Sequence, residues 1–289
     1  MREHRHPRRL SAHPDVSALS VPVPSASPVW VTRLGPACPP ASVVYVHGML
    51  VDSSYWTPLV EHLHARLDGA IAQIVYDQRG HGSTPRPPRE AAIGLQVFLD
   101  DLNTVVAHAR GAVVLVAHSV AISLVTAWVE EFPQRARELA GIVLFNGCPH
   151  VPAPLHSAVS TGRAARRRFR RRGHRVVEVL GSSIADPATR EDNYDAALDV
   201  LAAYGRLRLT EEATSTLRTI PTWVLAARRD PVVVPGSAQR LADQIWADFD
   251  SVPDVGHSLP HVDPVRSAEP ILAALEVAYR TQCQDGAVW

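Results

Sequence analysis

The chain contains no lysine: all 29 of its basic residues are arginine, set against 29 acidic ones. Without an ε-amine there is no Schiff-base chemistry, no anchor for pyridoxal phosphate, no Ser-Lys dyad and no phosphate loop ending in Gly-Lys-Ser/Thr. Net charge is missing too, at +0, so no global field draws the protein to nucleic acid or an anionic membrane, and neither is expected as a partner. Cysteine is scarce: Cys38, Cys148 and Cys283 are an odd number, far apart and in no CxxC spacing, which fits a reducing cytoplasm. The basic amino terminus (Arg2, Arg5, Arg8, Arg9) runs into Ser, His, Asp and Pro without the apolar core of a signal peptide, so a cytoplasmic location is expected. Long apolar runs are also few. Ala112 to Val129 reaches ~18 residues, the lower limit of a membrane helix. It carries His118, Ser119, Ser123 and Thr126, however, and reads as a buried strand, a sharp turn and a buried helix.

What is present is enough apolar material for a large core: 46% of 289 residues. The Arg, Ala, Pro and Val bias fits the codon usage of a GC-rich bacterial genome. Residues 1–28, rich in Pro, Ser, His and Arg without a period, are expected to form a flexible arm or a loose first strand. From Val29 the pattern alternates. Short β-branched runs (29–34, 42–46, 70–76, 112–117, 141–145, 222–227, 249–252) are separated by helical stretches (55–67, 95–109, 119–131, 237–246, 264–280). In the second of these stretches Leu95, Phe98, Leu99, Leu102, Val105, Val106 and Ala109 form one stripe. Continuous apolar strands alternating with helices imply an α/β fold with a mostly parallel sheet and right-handed crossovers. The alternation stops between about 149 and 217, which is expected to be an inserted helical cap, with 29–148 and 218–289 as the core.

The run from Val114 through Ala121 passes from an apolar strand through Ala-His-Ser-Val-Ala into an apolar helix. It resembles the nucleophile elbow of the α/β-hydrolase family, Gly-x-Ser-x-Gly, with Ala117 and Ala121 in place of the glycines. Small residues are required there because a nucleophile held at strained backbone angles brings strand and helix very close. Three further blocks resemble the same family in the family's order. His47-Gly48-Met49, at the end of a strand, is similar to the oxyanion loop. Asp77-Gln78-Arg79-Gly80-His81-Gly82-Ser83 resembles the family's Asp-x-Arg-Gly-His-Gly-x-Ser block, which implies a hydrogen-bonded turn that supports that loop and is not itself catalytic. Near the carboxyl end, Gly256-His257 is similar to the histidine loop, with His261 as a reserve.

The resemblance implies Ser119 as nucleophile, His257 as general base and Asp230, just beyond a strand, as the acid that orients the histidine. The family's other location for the acid holds Asn146, which cannot carry the charge. The backbone amides of Met49 and Val120 are implied as the oxyanion hole, and His47, Gly48, Trp56 and His118 as pocket candidates, although aromatic residues so placed are more often core. No metal or organic cofactor is required. The expected activity is hydrolysis of an ester or thioester of a small to medium acyl substrate through an acyl-enzyme. Carbon-carbon bond hydrolysis and cofactor-free haloperoxidase chemistry use the same triad and stay open, as does a ligand-binding scaffold without turnover. Arg163 to Arg175 holds eight arginines. They read as a solvated cap helix or, alternatively, as an anion site for a carrier-linked substrate. The oligomeric state is not encoded in any of these features.

Overall fold

The computed structural model describes residues 10, 15–23, 26–86, 94–150 and 187–284. Eight strands form one sheet: β1 (Val16–Val23), β2 (Ala26–Leu34), β3 (Ala41–Val46), β4 (Ala72–Tyr76), β5 (Ala112–His118), β6 (Gly141–Phe145), β7 (Thr222–Ala227) and β8 (Asp248–Val252). Their spatial order is β1-β2-β4-β3-β5-β6-β7-β8. Pairing is antiparallel at β1/β2 and β2/β4 and parallel from β4 to β8. The helices are α1 (Thr57–Arg66), α2 (Leu95–His108), α3 (Ala121–Glu131), α4 (Pro133–Arg137), α5 (Pro187–Tyr204), α6 (Glu211–Leu217), α7 (Pro235–Ile245), α8 (Leu259–Val262) and α9 (Pro264–Gln284).

The apolar strand runs are covered on both faces, and alternation along each strand divides the core in two. Val44, Val46, Leu115, Ala117, Ile142 and Leu144 face α2, α3 and α7. Val43, Tyr45, Val114, Val116, Val143 and Phe145 face α1 and α9. Burying one such side chain stabilises the fold by roughly 1.5–3 kcal/mol. The polar Gln73 is tolerated inside because it accepts from the Tyr45 hydroxyl at 2.7 Å and donates to the Val60 carbonyl at 2.8 Å.

Of the two forms expected for residues 1–28, the structure shows a first strand over 16–23, and 26–28 open β2, so both belong to the β1/β2 hairpin, with Val21 and Val23 buried against Val29 and Val31. Pro22 obscures this strand in the sequence. At an edge its missing N–H breaks no ladder bond on the solvent side.

Between β6 and β7, α5 and α6 lie inside the stretch expected as a cap, while residues 151–186, including Arg163 to Arg175, fall outside the described residues. Helix α5 docks on the turn after β4. The Tyr204 hydroxyl donates to Gln78 Oε1 at 2.9 Å, and Arg86 makes a two-pronged ion pair with Asp199. Among the described residues no helix is long and apolar enough to cross a membrane. The apolar stretch 112–129 is β5 and α3, broken at Ser119.

Candidate active site

Strand β5 ends at His118, and the next residue, Ser119, has φ 60, in the left-handed region. Such a backbone costs a non-glycine residue about 1–3 kcal/mol and persists only where its surroundings enforce it. Here Ser119 N–H donates to the Phe145 carbonyl at 2.9 Å, and α3 begins two residues later. Ala117 and Ala121 are fully buried on either side. Two glycines on neighbouring loops allow the close approach. A Cβ on Gly147 would lie 2.6 Å from the Ser119 carbonyl oxygen and 2.3 Å from Ile122 Cδ1. One on Gly48 would lie 3.2 Å from Ser119 Cβ.

The hydroxyl of Ser119 is 2.8 Å from His257 Nε2, and His257 Nδ1 is 2.7 Å from Asp230 Oδ2. A carboxylate only accepts, so Nδ1 carries the proton and Nε2 presents its lone pair to the serine O–H. Asp230 is itself fixed. Its Oδ1 accepts from the N–H groups of Val232 and Val233 at 2.7 and 2.9 Å, an Asx turn just after β7. Both Asp230 and His257 are buried. His261, the reserve histidine, points elsewhere and donates through Nδ1 to the Tyr55 carbonyl at 2.9 Å.

The His257 loop is held by side chains from distant elements. The His257 carbonyl accepts from Asn146 Nδ2 at 2.7 Å and from His118 Nε2 at 2.8 Å. Asn146 Oδ1 accepts in turn from Ala227 N–H at 2.7 Å, so this one residue joins the ends of β6 and β7 to the histidine loop. His118 stacks on Tyr55 at 4.7 Å, and burial holds its pKa well below the usual histidine value, so the ring is neutral. Sequence reasoning set Asn146 aside as a failed acid. Its left-handed φ of 50, which asparagine tolerates, is the kind of local preference that could have marked it.

On the other side of Ser119 the loop at His47-Gly48-Met49 is supported from below. His47 Nδ1 donates to the Gly48 carbonyl at 2.7 Å, and its Nε2 accepts from Gln78 N–H at 3.0 Å. Burial lowers the His47 pKa to about 4, keeping it neutral. Asp77 accepts from the N–H groups of Ser53 and Ser83 at 2.9 and 2.7 Å, so the turn after β4 and the loop after β3 are tied together. Its carboxyl is pushed up to about 6 by burial and the nearby Asp52. Arg79 is engaged in a buried ion pair with Asp101 at 2.8 Å, remote from the serine chemistry. Leu50, at φ 69, turns the loop. Among the described residues no hydrogen bond forms to the backbone N–H of Met49 or of Val120.

Of the pocket candidates, Gly48 adjoins Ser119, while His47 and His118 are buried beneath the site. Trp56 is fully buried among Tyr45, Tyr55 and Phe145, and so belongs to the core behind the site rather than to an acyl pocket. Its position at the start of α1, where one face meets the sheet, explains the difference. Cys148 is no rival nucleophile: it is buried, donates to the His150 carbonyl at 3.0 Å, and its thiol pKa is raised by burial. Among the described residues no group of three His, Cys, Asp or Glu gathers to hold a metal.

Several solved structures share this architecture. A thermophilic esterase from Thermogutta terrifontis superposes with a TM-score of 0.66 at 22% identity, covering 91% of this chain and 99% of that one. An esterase from Rhodococcus sp. ECU1013 gives 0.62 at 18% identity, over 91% and 98% of the two chains. A bromoperoxidase from Bacillus anthracis gives 0.63 at 18% identity, over 90% and 100%. At these identities the likeness is one of fold. No curated protein matches the chain in sequence. The sequence profile of the alpha/beta hydrolase family matches residues 43–269, well over half of the protein. The chain belongs to the alpha/beta hydrolase family.

Proposed function

We propose that the protein is a serine hydrolase that cleaves esters or thioesters of small to medium acyl groups through an acyl-enzyme. What supports this reading above all is the unbroken line from Asp230 through His257 to Ser119, at 2.7 and 2.8 Å, with the serine held in the left-handed region. In this reading His257 takes the Ser119 proton as the oxygen attacks the acyl carbon, and Asp230 stabilises the imidazolium that results. The unpartnered N–H groups of Met49 and Val120 hold the oxyanion. The proton then passes to the leaving alcohol or thiol, and water, activated by the same histidine, releases the acid. Family membership and esterase neighbours favour ester cleavage among the chemistries this arrangement can perform.

The test is hydrolysis of short- and medium-chain nitrophenyl esters by the wild type, Ser119→Ala and His257→Ala. Turnover by the wild type that falls to background in both variants is expected. A folded wild type without turnover, or a Ser119→Ala variant that retains it, would overturn the reading.

A further inference from the structure

Outside the Ser119 site, a cavity of about 450 Å³ lies between α6 and the stretch before it, one face of α7 and the loop that follows β6. Among the described residues, three arginines line it, Arg208, Arg218 and Arg240, with Glu211 as the one acidic residue. Among the described residues none of the three has a carboxylate within ion-pair distance. Arg208 donates to the carbonyls of Leu207 and Gly205, Arg240 to Ser237 Oγ at 3.0 Å, and Arg218 to the Gln244 carbonyl at 2.9 Å while resting over the Trp246 ring. Each fork is thereby oriented by a neighbour, yet most of its five N–H donors remain unused. All three are exposed at the cavity rim, so their remaining donors are open to an anionic ligand.

We propose that this cavity is an anion subsite that takes a phosphate monoester, apart from the chemistry at Ser119. Two positive charges left after Glu211 match a dianion better than a carboxylate, and planar guanidinium forks pair with phosphate oxygens two at a time. The volume exceeds what a bare phosphate fills and falls in the range of small-molecule sites, so part of the ligand's organic body enters with the charge. On its inner side the cavity is backed by Cys148, which donates to the carbonyl of the lining residue His150.

The experiment is calorimetric titration of phenyl phosphate into the Ser119→Ala protein, with benzoate as the monoanion of the same ring. Phenyl phosphate is expected to bind at one site and benzoate about tenfold or more weakly, since each charge-assisted contact is worth about that factor. Adding Arg208→Gln and Arg240→Gln should weaken phenyl phosphate by at least about tenfold more. Independently of any further variant, binding to the Ser119→Ala protein should weaken as salt rises to about 0.5 M. Equal binding of the two ligands, salt-independent binding, or unchanged affinity in a double variant of unaltered thermal midpoint would overturn the subsite. The two proposals fail separately. Phenyl phosphate binding in a protein that turns over no nitrophenyl ester removes only the hydrolase reading, whereas turnover without phenyl phosphate binding removes only the subsite.

Discussion

The two halves of the Ser119 site are held by different physics. The serine side is positioned by sterics: a left-handed backbone at Ser119, buried alanines at 117 and 121, a glycine at 147 where a side chain would collide, and one at 48 where a side chain would press on Ser119. The histidine side is positioned by polar contacts from far along the chain, with Asn146 and His118 donating to the His257 carbonyl and Asp230 accepting from its ring. Steric positioning fails abruptly when volume is added. Polar positioning fails in proportion to the hydrogen bond removed.

The largest effect should come from the histidine side. Asp230→Asn keeps the shape but presents an N–H donor to His257 or turns the ring to the wrong tautomer. We expect kcat for a nitrophenyl ester to fall by about 10⁴-fold with the fold intact. A fall of less than about tenfold would remove Asp230 from its role. On the serine side, Gly147→Ala forces a methyl to 2.3 Å from Ile122 Cδ1. The overpacking should cost about 1–3 kcal/mol, lowering the thermal midpoint by about 2–4 °C for each kcal/mol. Displacing the elbow by even a fraction of an ångström should lower kcat by up to about 10²-fold. Unchanged stability and rate would show that the elbow is not sterically clamped.

Asn146→Asp is a gentler probe of the polar side. It keeps an acceptor for Ala227 N–H but replaces the donor to the His257 carbonyl with a repelling oxygen. We expect kcat to drop by about tenfold with KM little changed. A loss confined to KM would mean that Asn146 serves substrate binding instead of His257.

The smallest effect is the response of stability to acid, which reports on the buried groups beneath the serine. Folding holds His47 at about 4, His81 at about 3 and His118 well below 6.5, mainly through burial, so between pH 6.5 and about 4 the unfolded chain binds more protons at these three groups. Asp77 and Asp101, both raised to about 6, act in the opposite sense: the folded state binds more protons at these two groups between pH 6 and 3.8. Three groups against two leave a net of one, so the thermal midpoint should fall as pH drops from 6.5 towards 4. His81→Gln should level that slope. A midpoint that rises with acid would show the carboxyls dominating.

The same division explains what could be read from the sequence. Ser119, Asp230 and His257 lie in short blocks that resemble those of the alpha/beta hydrolase family and follow in its order, so the resemblance implied their roles although the contacts that hold them come from far along the chain. The central strands were legible as unbroken apolar runs. Asn146 was not, because its partners lie 81 and 111 residues away and a hydrogen bond to a backbone carbonyl leaves no pattern in the partner's side chain. Gly147 reads as an ordinary turn residue until the elbow is folded against it. Pro22 and a single paired edge leave the bounds of β1 unmarked in the sequence, and the cavity arginines are hidden by their spacing at 208, 218 and 240.

The central claim is that Ser119 is activated by His257 and Asp230, and labelling with a fluorophosphonate followed by peptide mapping tests it most directly. The account predicts one phosphonyl group per chain, on the peptide containing Ser119, with labelling slowed by orders of magnitude in His257→Ala. Label on another residue, or equal labelling of the His257→Ala variant, would contradict it.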